Sequence, residues 1–201
     1  VSKGQVLETG VRDRASYVLG QGRIRLVLST PLSGDNGMTA HQTRHGDGVR
    51  DVAFHVDDAE ACFAAAVERG AKVASEPRTL KDKNGSGRHA AIHTYGDTLH
   101  SFISHDDYDG PFLPNYRAAA LAGDSVGLRF VDHSVGNGEL GKMNEWAGFY
   151  ASVLGFSQQQ HFSDEDISTE YSALMSKVME SDNGRIKFPL NEPAEGRRKS
   201  Q

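Results

Sequence analysis

The sequence has a single cysteine, Cys62, among 201 residues. One thiol excludes an intrachain disulfide framework, and such scarcity fits the reducing environment of the cytoplasm. Cys62 falls on the apolar face of a predicted helix, which indicates a small core residue rather than a nucleophile. We therefore predict a cytoplasmic protein without disulfides.

Long apolar runs and an excess of basic residues are also missing. No stretch reaches the length needed to cross a bilayer, and the first residues lack the basic head and apolar centre of a signal peptide. With 22 Lys and Arg against 27 Asp and Glu, the formal net charge is −5. This balance argues against nucleic acid or an anionic membrane as a partner.

The sequence contains no phosphate-binding loop, no dinucleotide fingerprint and no Ser-His-Asp set. What it does have is an ordinary globular composition, with 37% apolar and 24% charged residues. A length of 201 residues predicts one or two domains with a sizeable core.

The first patterned block is typical of strands around a helix. Two apolar runs within 14–28 flank a Gly-Gln-Gly turn, which indicates a β-hairpin. A strand over 48–56 precedes a helix that Asp57 or Asp58 caps. Two further strands follow. A linker rich in proline and small residues then leads to a predicted domain boundary near Gly123.

The second block has the same order. A short apolar strand over 130–137 contains His133, a helix is predicted over 143–154, and strands are predicted near 169–178 and 186–193. A histidine that faces inward from a strand loses hydration unless a neighbour pairs with it or it binds a ligand. A core histidine paired with a neighbour is the commoner case, so the strand pattern alone leaves both roles open for His133.

The similarity of the two blocks predicts duplicated modules. Asp51 stands in the opening strand of the first block where His133 stands in the second. Each helix is followed by a glycine, Gly70 or Gly155. An aspartate can also bind a metal, so this difference alone excludes nothing.

Several short motifs of the second block are informative together. They are Asp-His-Ser-Val-Gly-Asn at 132–137, Asn-Glu-Trp at 144–146, Thr-Glu-Tyr-Ser-Ala-Leu at 169–174, Asn-Glu-Pro-Ala at 191–194 and Lys-Ser-Gln at 199–201. In this order they resemble the 4-hydroxyphenylpyruvate dioxygenase family of the vicinal oxygen chelate superfamily. The resemblance extends along nearly the whole chain.

The resemblance implies an α+β fold in which repeated βαβββ modules form half-open mixed or antiparallel β-barrels with helices outside. It implies a non-catalytic N-terminal domain over 1–122, with an incomplete first module and a second module over about 48–105. Residues 123–201 would form the first module of the catalytic domain, without the second. We therefore expect a chain truncated at both ends, whose natural form continues past Gln201.

The resemblance also implies a site. It makes His133 the first of three Fe(II) ligands, the other two belonging to a downstream module, and it assigns substrate contacts to Ser172, Pro189, Asn191 and Gln201. An iron(II) oxygenase needs a facial set of two imidazoles and one carboxylate. We therefore expect no activity from these residues alone.

Other polar residues have simpler interpretations. His89 and His93 are four residues apart, but on a predicted strand with no third ligand nearby they do not indicate a metal site. Strict alternation would place Ser172, Leu174 and Ser176 on one strand face.

The implied function is the Fe(II)-dependent conversion of 4-hydroxyphenylpyruvate and O2 into homogentisate and CO2, a step of tyrosine catabolism. The reaction combines oxidative decarboxylation, ring hydroxylation and side-chain migration. Hydroxymandelate synthase, which uses the same iron and substrate but oxidises the benzylic carbon, is the alternative enzyme. A non-catalytic small-molecule-binding protein of the same superfamily is the alternative of another class. We expect a homo-oligomer.

Overall fold

The computed structural model describes residues 2–3, 10–119, 123–159 and 174–193. Internal contacts divide the chain into two compact units. The first comprises Val1–Ala64 with Lys72–Phe130, and the second comprises Ala65–Ala71 with Val131–Gln201. The domain boundary near Gly123 stays a prediction.

The described residues form helices and short sheets. The helices are α1 (Gly37–His45), α2 (Ala59–Glu68) and α3 (Met143–Leu154). The strands are β1 (Ser2–Lys3), β2 (Arg14–Gln21), β3 (Ile24–Pro31), β4 (Phe54–His55), β5 (Val73–Asp82), β6 (Gly85–His93), β7 (Leu99–Ser104), β8 (Arg117–Ala118), β9 (Gly136–Asn137), β10 (Ser157–Gln158), β11 (Leu174–Glu180) and β12 (Lys187–Pro193). None of the helices in this part of the chain is long and apolar enough to span a membrane.

Two of the sheets share one topology. The strand orders are β4-β7-β6-β5 and β9-β12-β11-β10. In each sheet the opening strand runs parallel to the last strand, and the other pairs are antiparallel. Each opening strand is followed by a helix and three strands. The predicted α+β fold of repeated βαβββ modules is confirmed.

A third sheet has the order β3-β2-β1-β8. It includes the predicted hairpin of β2 and β3, which pair from Arg14–Pro31 to Gln21–Ile24. Gly22 has a φ of 55° in the tight turn, a conformation that favours glycine. Val18 of β2 is buried against Leu113.

Local side chains explain where the helices begin and end. Asp58, rather than Asp57, caps α2 by accepting hydrogen bonds from the backbone N–H groups of Glu60 and Ala61 at 2.9 and 3.0 Å. Gly155 ends α3 with a left-handed φ of 71°.

The sequence did not predict α1. Asn36 caps it by accepting from the N–H groups of Met38 and Thr39 at 2.9 and 2.8 Å. None of its residues is buried. The helix therefore lacks the apolar periodicity that a sequence reveals.

The second unit is held together by aromatic packing between α3 and β12. Tyr150 is fully buried and stacks on Phe188, with ring centroids 5.0 Å apart. Glu192, also buried, accepts a hydrogen bond from the Met143 N–H at 3.0 Å and so caps the helix from the sheet. This role for the glutamate of the Asn-Glu-Pro motif was not predicted.

Candidate functional site

The segment around His133 differs from the prediction. The expected buried strand over 130–137 is reduced to β9, Gly136–Asn137, and His133 lies in irregular backbone before it. The apolar residues Phe130 and Val131 are 67% and 54% exposed. The prediction of a buried strand over these residues was wrong.

Pro189 gives a physical reason for the short strand. β9 pairs in parallel with β12, with Gly136 opposite Leu190, and the Ser134 N–H still donates to the Lys187 carbonyl at 3.1 Å. In this register the N–H of residue 189 would donate to the Ser134 carbonyl. Proline has no N–H, so this hydrogen bond cannot form and the pairing is interrupted there.

Among the described residues, the close partner of His133 is the preceding aspartate. Its Nδ1 is 2.7 Å from Asp132 Oδ2, and the two side chains are 49% and 67% exposed. A carboxylate only accepts, so in the neutral ring Nδ1 carries the proton and Nε2 keeps its lone pair. The hydrogen bond from His133 lowers the pKa of Asp132.

The substrate residues predicted on β12 lie on one side of its sheet. Burial alternates along the strand, and Phe188, Leu190 and Glu192 form the buried side that faces α3. Pro189 and Asn191 are partly buried on the opposite side. The structure therefore brings these two residues together on the side away from the helix.

The neighbouring strand contributes a residue that the prediction missed. Ser176 of β11 is the cross-strand partner of Asn191, and Val178 is the partner of Pro189. Directly paired residues point to the same face of a sheet. Ser176 therefore shares the face of Pro189 and Asn191, as the strand alternation noted above could have indicated.

The register places the His133 segment next to the start of β12. Gly136 is opposite Leu190 on the helix side, and Asn137 is opposite Asn191 on the other side. The hydrogen bond of Ser134 keeps the register back to that residue. Counting back along the segment puts position 133 across from Lys187, the first residue of β12.

Two predicted site residues, Ser172 and Gln201, lie outside the described residues. In the part of the chain that the structure describes, no three His, Cys, Asp or Glu side chains come together as a metal-binding group. His133 offers one imidazole, whose Nε2 carries the lone pair when Nδ1 holds the proton. These residues therefore fit a single iron ligand and not a complete facial site.

Comparison with known proteins identifies the relatives. No family model matches the sequence. The chain is 44% identical over 206 residues to a 4-hydroxyphenylpyruvate dioxygenase of Yarrowia lipolytica, covering 97% of this chain and 52% of the relative. It is 42% identical over 206 residues to that of Tetrahymena thermophila, with coverages of 97% and 51%.

The chain is a homologue of the 4-hydroxyphenylpyruvate dioxygenases. It spans about half the length of the curated relatives it matches. A solved structure of a 4-hydroxymandelate synthase mutant from Streptomyces coelicolor superimposes with a TM-score of 0.80 at 26% identity, covering 96% of this chain and 54% of that one. A fusion of a xylose isomerase-like barrel with 4-hydroxyphenylpyruvate dioxygenase has a TM-score of 0.67 at 18% identity, with coverages of 96% and 28%, and shares the fold.

The first unit of this dioxygenase homologue contains a counterpart of the His133 position. Asp51 stands three residues before β4 as His133 stands three residues before β9. The next residues make the same hydrogen bond: the Val52 N–H donates to the Leu99 carbonyl at 3.1 Å, and the Ser134 N–H to the Lys187 carbonyl at 3.1 Å. The structure therefore supports the predicted correspondence of Asp51 and His133.

Asp51 is engaged in hydrogen bonds. Its Oδ1 accepts from the Ser101 N–H at 3.1 Å, and its Oδ2 accepts from the Ser101 hydroxyl at 2.5 Å. The hydroxyl oxygen can then accept from His89 Nε2, which is 3.1 Å away. Loss of hydration raises the pKa of Asp51, and the hydrogen bonds from Ser101 oppose this rise. These contacts support a structural role for the carboxylate in the first unit of the dioxygenase homologue.

Two histidines of the first unit, His89 and His100, are expected to make this dioxygenase homologue less stable in acid. Burial lowers the pKa values of His89 and His100 to about 4 from 6.5. As the pH falls below 6.5, the unfolded chain takes up protons on these histidines before the folded chain does. The free energy of unfolding therefore decreases between pH 6.5 and pH 4. We expect urea unfolding to show a loss of about 2 kcal/mol per histidine at pH 5.

The variant His89→Gln tests this expectation, because its amide can still donate to Ser101 but does not titrate. In this variant the decrease in unfolding free energy at pH 5 should be about half as large as in the unchanged chain. The same change at the exposed His93 is the control for replacing a histidine outside the core. Equal pH dependence in His89→Gln and the unchanged chain would contradict the assignment.

Proposed function

We propose that the protein to which this chain belongs is an Fe(II)-dependent 4-hydroxyphenylpyruvate dioxygenase, which converts 4-hydroxyphenylpyruvate and O2 into homogentisate and CO2. The observation that carries the proposal is 44% identity over 97% of the chain to a relative of that name. Because the chain spans about half of such relatives, the activity is assigned to the longer protein.

In this proposal His133 supplies one of three iron ligands. Asp132 Oδ2 accepts a hydrogen bond from Nδ1–H, with 2.7 Å between the two heavy atoms, which orients the ring and leaves Nε2 for the metal. When bound, Fe(II) would hold the 2-oxo acid group of the substrate and activate dioxygen. The other two ligands would come from a downstream module.

The sheet face of Pro189, Asn191 and Ser176 is proposed to hold the substrate. Pro189 offers an apolar wall, and the Asn191 amide and the Ser176 hydroxyl can hydrogen-bond a ring hydroxyl. Cross-strand pairing of Ser176 with Asn191 supports their common action. Ser172 and Gln201 remain predicted substrate contacts.

Replacing Asn191 or Ser176 by Ala should weaken substrate binding without unfolding the protein. The loss of one hydrogen bond is worth about 1 kcal/mol, or roughly a fivefold rise in KM. Steady-state kinetics on a version extended through the downstream ligands would measure it. Asn144→Ala is the matched control, because Asn144 is exposed and accepts a hydrogen bond from Lys177, on the helix side of the sheet. If that control raises KM as much as Asn191→Ala, the proposed face is incorrect.

Experiments can distinguish the proposed dioxygenase from two other functions. Hydroxymandelate synthase is favoured by the structural match with a TM-score of 0.80, but its 26% identity is well below that of the dioxygenases. A non-catalytic binder would take up the ligand without consuming O2. Oxygen uptake that requires both Fe(II) and 4-hydroxyphenylpyruvate separates the enzymes from the binder; its absence in an iron-loaded extended protein would contradict the proposal.

The proposed enzyme is expected to act in the cytoplasm as a homo-oligomer. Cell fractionation checks the location, and sedimentation of the extended protein checks the assembly.

A further inference from the structure

One more polar side chain, that of Asn137 in β9, lies on the proposed substrate face. Asn137 is the parallel cross-strand partner of Asn191, and Asn191 is the antiparallel partner of Ser176. Directly paired residues point to the same side of a sheet. The three side chains therefore lie side by side across β9, β12 and β11, and we call them the polar row.

A backbone hydrogen bond fixes the place of Asn137 in the polar row. The Gly138 N–H donates to the Asn191 carbonyl at 2.7 Å, as expected when residues 137 and 191 are paired in a parallel ladder. Neighbouring strands lie about 4.8 Å apart, so Asn137 is one strand spacing from Asn191 and two from Ser176. A small ligand that contacts Asn191 on this face is therefore within reach of Asn137.

The sheet of the first unit shows that the module does not require a polar row. At the corresponding position of that sheet, His55, Ile103 and His89 are paired across β4, β7 and β6. The central residue, Ile103, is apolar and packs against the buried cluster that contains Val18. In the second unit the central residue is Asn191, with a polar side chain on either side. This difference is typical of a face that receives a ligand instead of a core.

The side chains of the polar row are available for hydrogen bonding. Among the described residues, none of Asn137, Asn191 and Ser176 has a side-chain hydrogen-bond partner. On the helix side of the same sheet, in contrast, the polar side chain of Glu192 accepts a hydrogen bond from the Met143 N–H at 3.0 Å. The donors and acceptors of the polar row can therefore serve a ligand.

The position along β12 indicates which part of a substrate the polar row meets. Position 133 lies across from Lys187, and Asn191 follows four residues later, about 13 Å along the strand. Pro189 lies between them on the strand. The 2-oxo acid group and the ring hydroxyl stand at opposite ends of 4-hydroxyphenylpyruvate. A substrate with its 2-oxo acid group at the His133 end therefore directs its ring hydroxyl towards the polar row.

We propose that Asn137 is a specificity-determining residue, whose side-chain amide hydrogen-bonds the ring hydroxyl of the substrate together with Asn191 and Ser176. An amide both donates and accepts, so it can pair with a hydroxyl in either direction. A substrate without that hydroxyl leaves the amide unpaired, and the site discriminates against it. This assignment rests on the proposed function, from which the substrate is taken.

The test measures the binding of 4-hydroxyphenylpyruvate and of phenylpyruvate by calorimetry without O2. It uses a version extended through the downstream ligands and loaded with Fe(II). Asn137→Ala should weaken the binding of 4-hydroxyphenylpyruvate about fivefold, the effect of one lost hydrogen bond. Phenylpyruvate lacks the ring hydroxyl, so its dissociation constant should change by less than about twofold. Retained binding of phenylpyruvate also shows that the variant is folded.

Asn144→Ala is the matched control, because Asn144 is an exposed asparagine of α3 on the helix side of the sheet. It should leave both dissociation constants unchanged. Equal weakening of both compounds by Asn137→Ala would overturn the proposal, since an indirect structural effect does not depend on the ring hydroxyl. Unchanged binding of 4-hydroxyphenylpyruvate would overturn it as well.

Oxygen uptake separates this inference from the proposed function. If the unchanged protein binds 4-hydroxyphenylpyruvate in the way that depends on Asn137 but consumes no O2, the dioxygenase function is wrong and the role of Asn137 stands. If the unchanged protein binds neither compound, both are wrong.

Discussion

Replacing His133 by Ala in a version extended through the downstream ligands is expected to abolish iron binding and turnover. A facial iron site held by three protein ligands loses one of them, and the two that remain bind the metal too weakly for catalysis. Because His133 is about half exposed and contacts Asp132 only through a surface hydrogen bond, the fold should persist. Iron content and oxygen uptake are the measurements.

His93→Ala is the matched control. His93 is also exposed, but it belongs to the first unit and is not predicted to bind metal. It should keep the iron content and turnover of the unchanged protein. A His133→Ala protein that retains its iron would remove His133 from the site.

Tyr150→Ala is expected to have the largest effect on stability. Tyr150 is fully buried, and its ring lies 5.0 Å from that of Phe188 and 5.8 Å from that of Phe156. Removing a buried aromatic ring leaves a cavity and costs about 3–5 kcal/mol. This is a large fraction of the stability of a typical domain, so the second unit should unfold at much lower urea concentration.

Two controls accompany Tyr150→Ala in the urea experiment. Tyr150→Phe keeps the ring and should retain most of the stability. Phe130→Ala removes a side chain that is 67% exposed and should change stability by about 0.5 kcal/mol or less. If Tyr150→Ala unfolds at the same urea concentration as Phe130→Ala, the described packing of α3 on β12 is incorrect.

The sequence predicted those elements that have a regular apolar pattern. The β2–β3 hairpin has alternating or apolar runs around Gly22, and α3 has an apolar stripe that includes Tyr150. In contrast, α1 is stabilised by the Asn36 cap and buries none of its residues. Without periodicity, only the capping residue could have indicated that helix.

The site was predictable only in part, because strand pairing is not visible in a single strand. Pro189 and Asn191 could be placed on one face from their spacing of two residues. Adding Ser176 to the site required the register that pairs it with Asn191. Ser172 keeps its predicted role, while Ser176 enters the proposed face from the structure.

The interpretation of the His133 segment failed for a related reason. An apolar run indicates a buried strand, but a strand also needs partners for its backbone hydrogen bonds. Pro189 cannot supply an N–H, so only Gly136–Asn137 joins β12 as a strand. The apolar composition of residues 130–135 indicates a preference for strand structure. It does not show whether a neighbouring strand can supply the backbone hydrogen bonds.

The most direct test of the proposed function is to identify the product formed from 4-hydroxyphenylpyruvate. The extended protein, loaded with Fe(II) and supplied with O2, should yield homogentisate and CO2 in equal amounts, with one O2 consumed per substrate. Substrate labelled in the ring and in the carboxyl group would follow both products. Formation of 4-hydroxymandelate, or binding of the substrate without consumption of O2, would contradict the assignment.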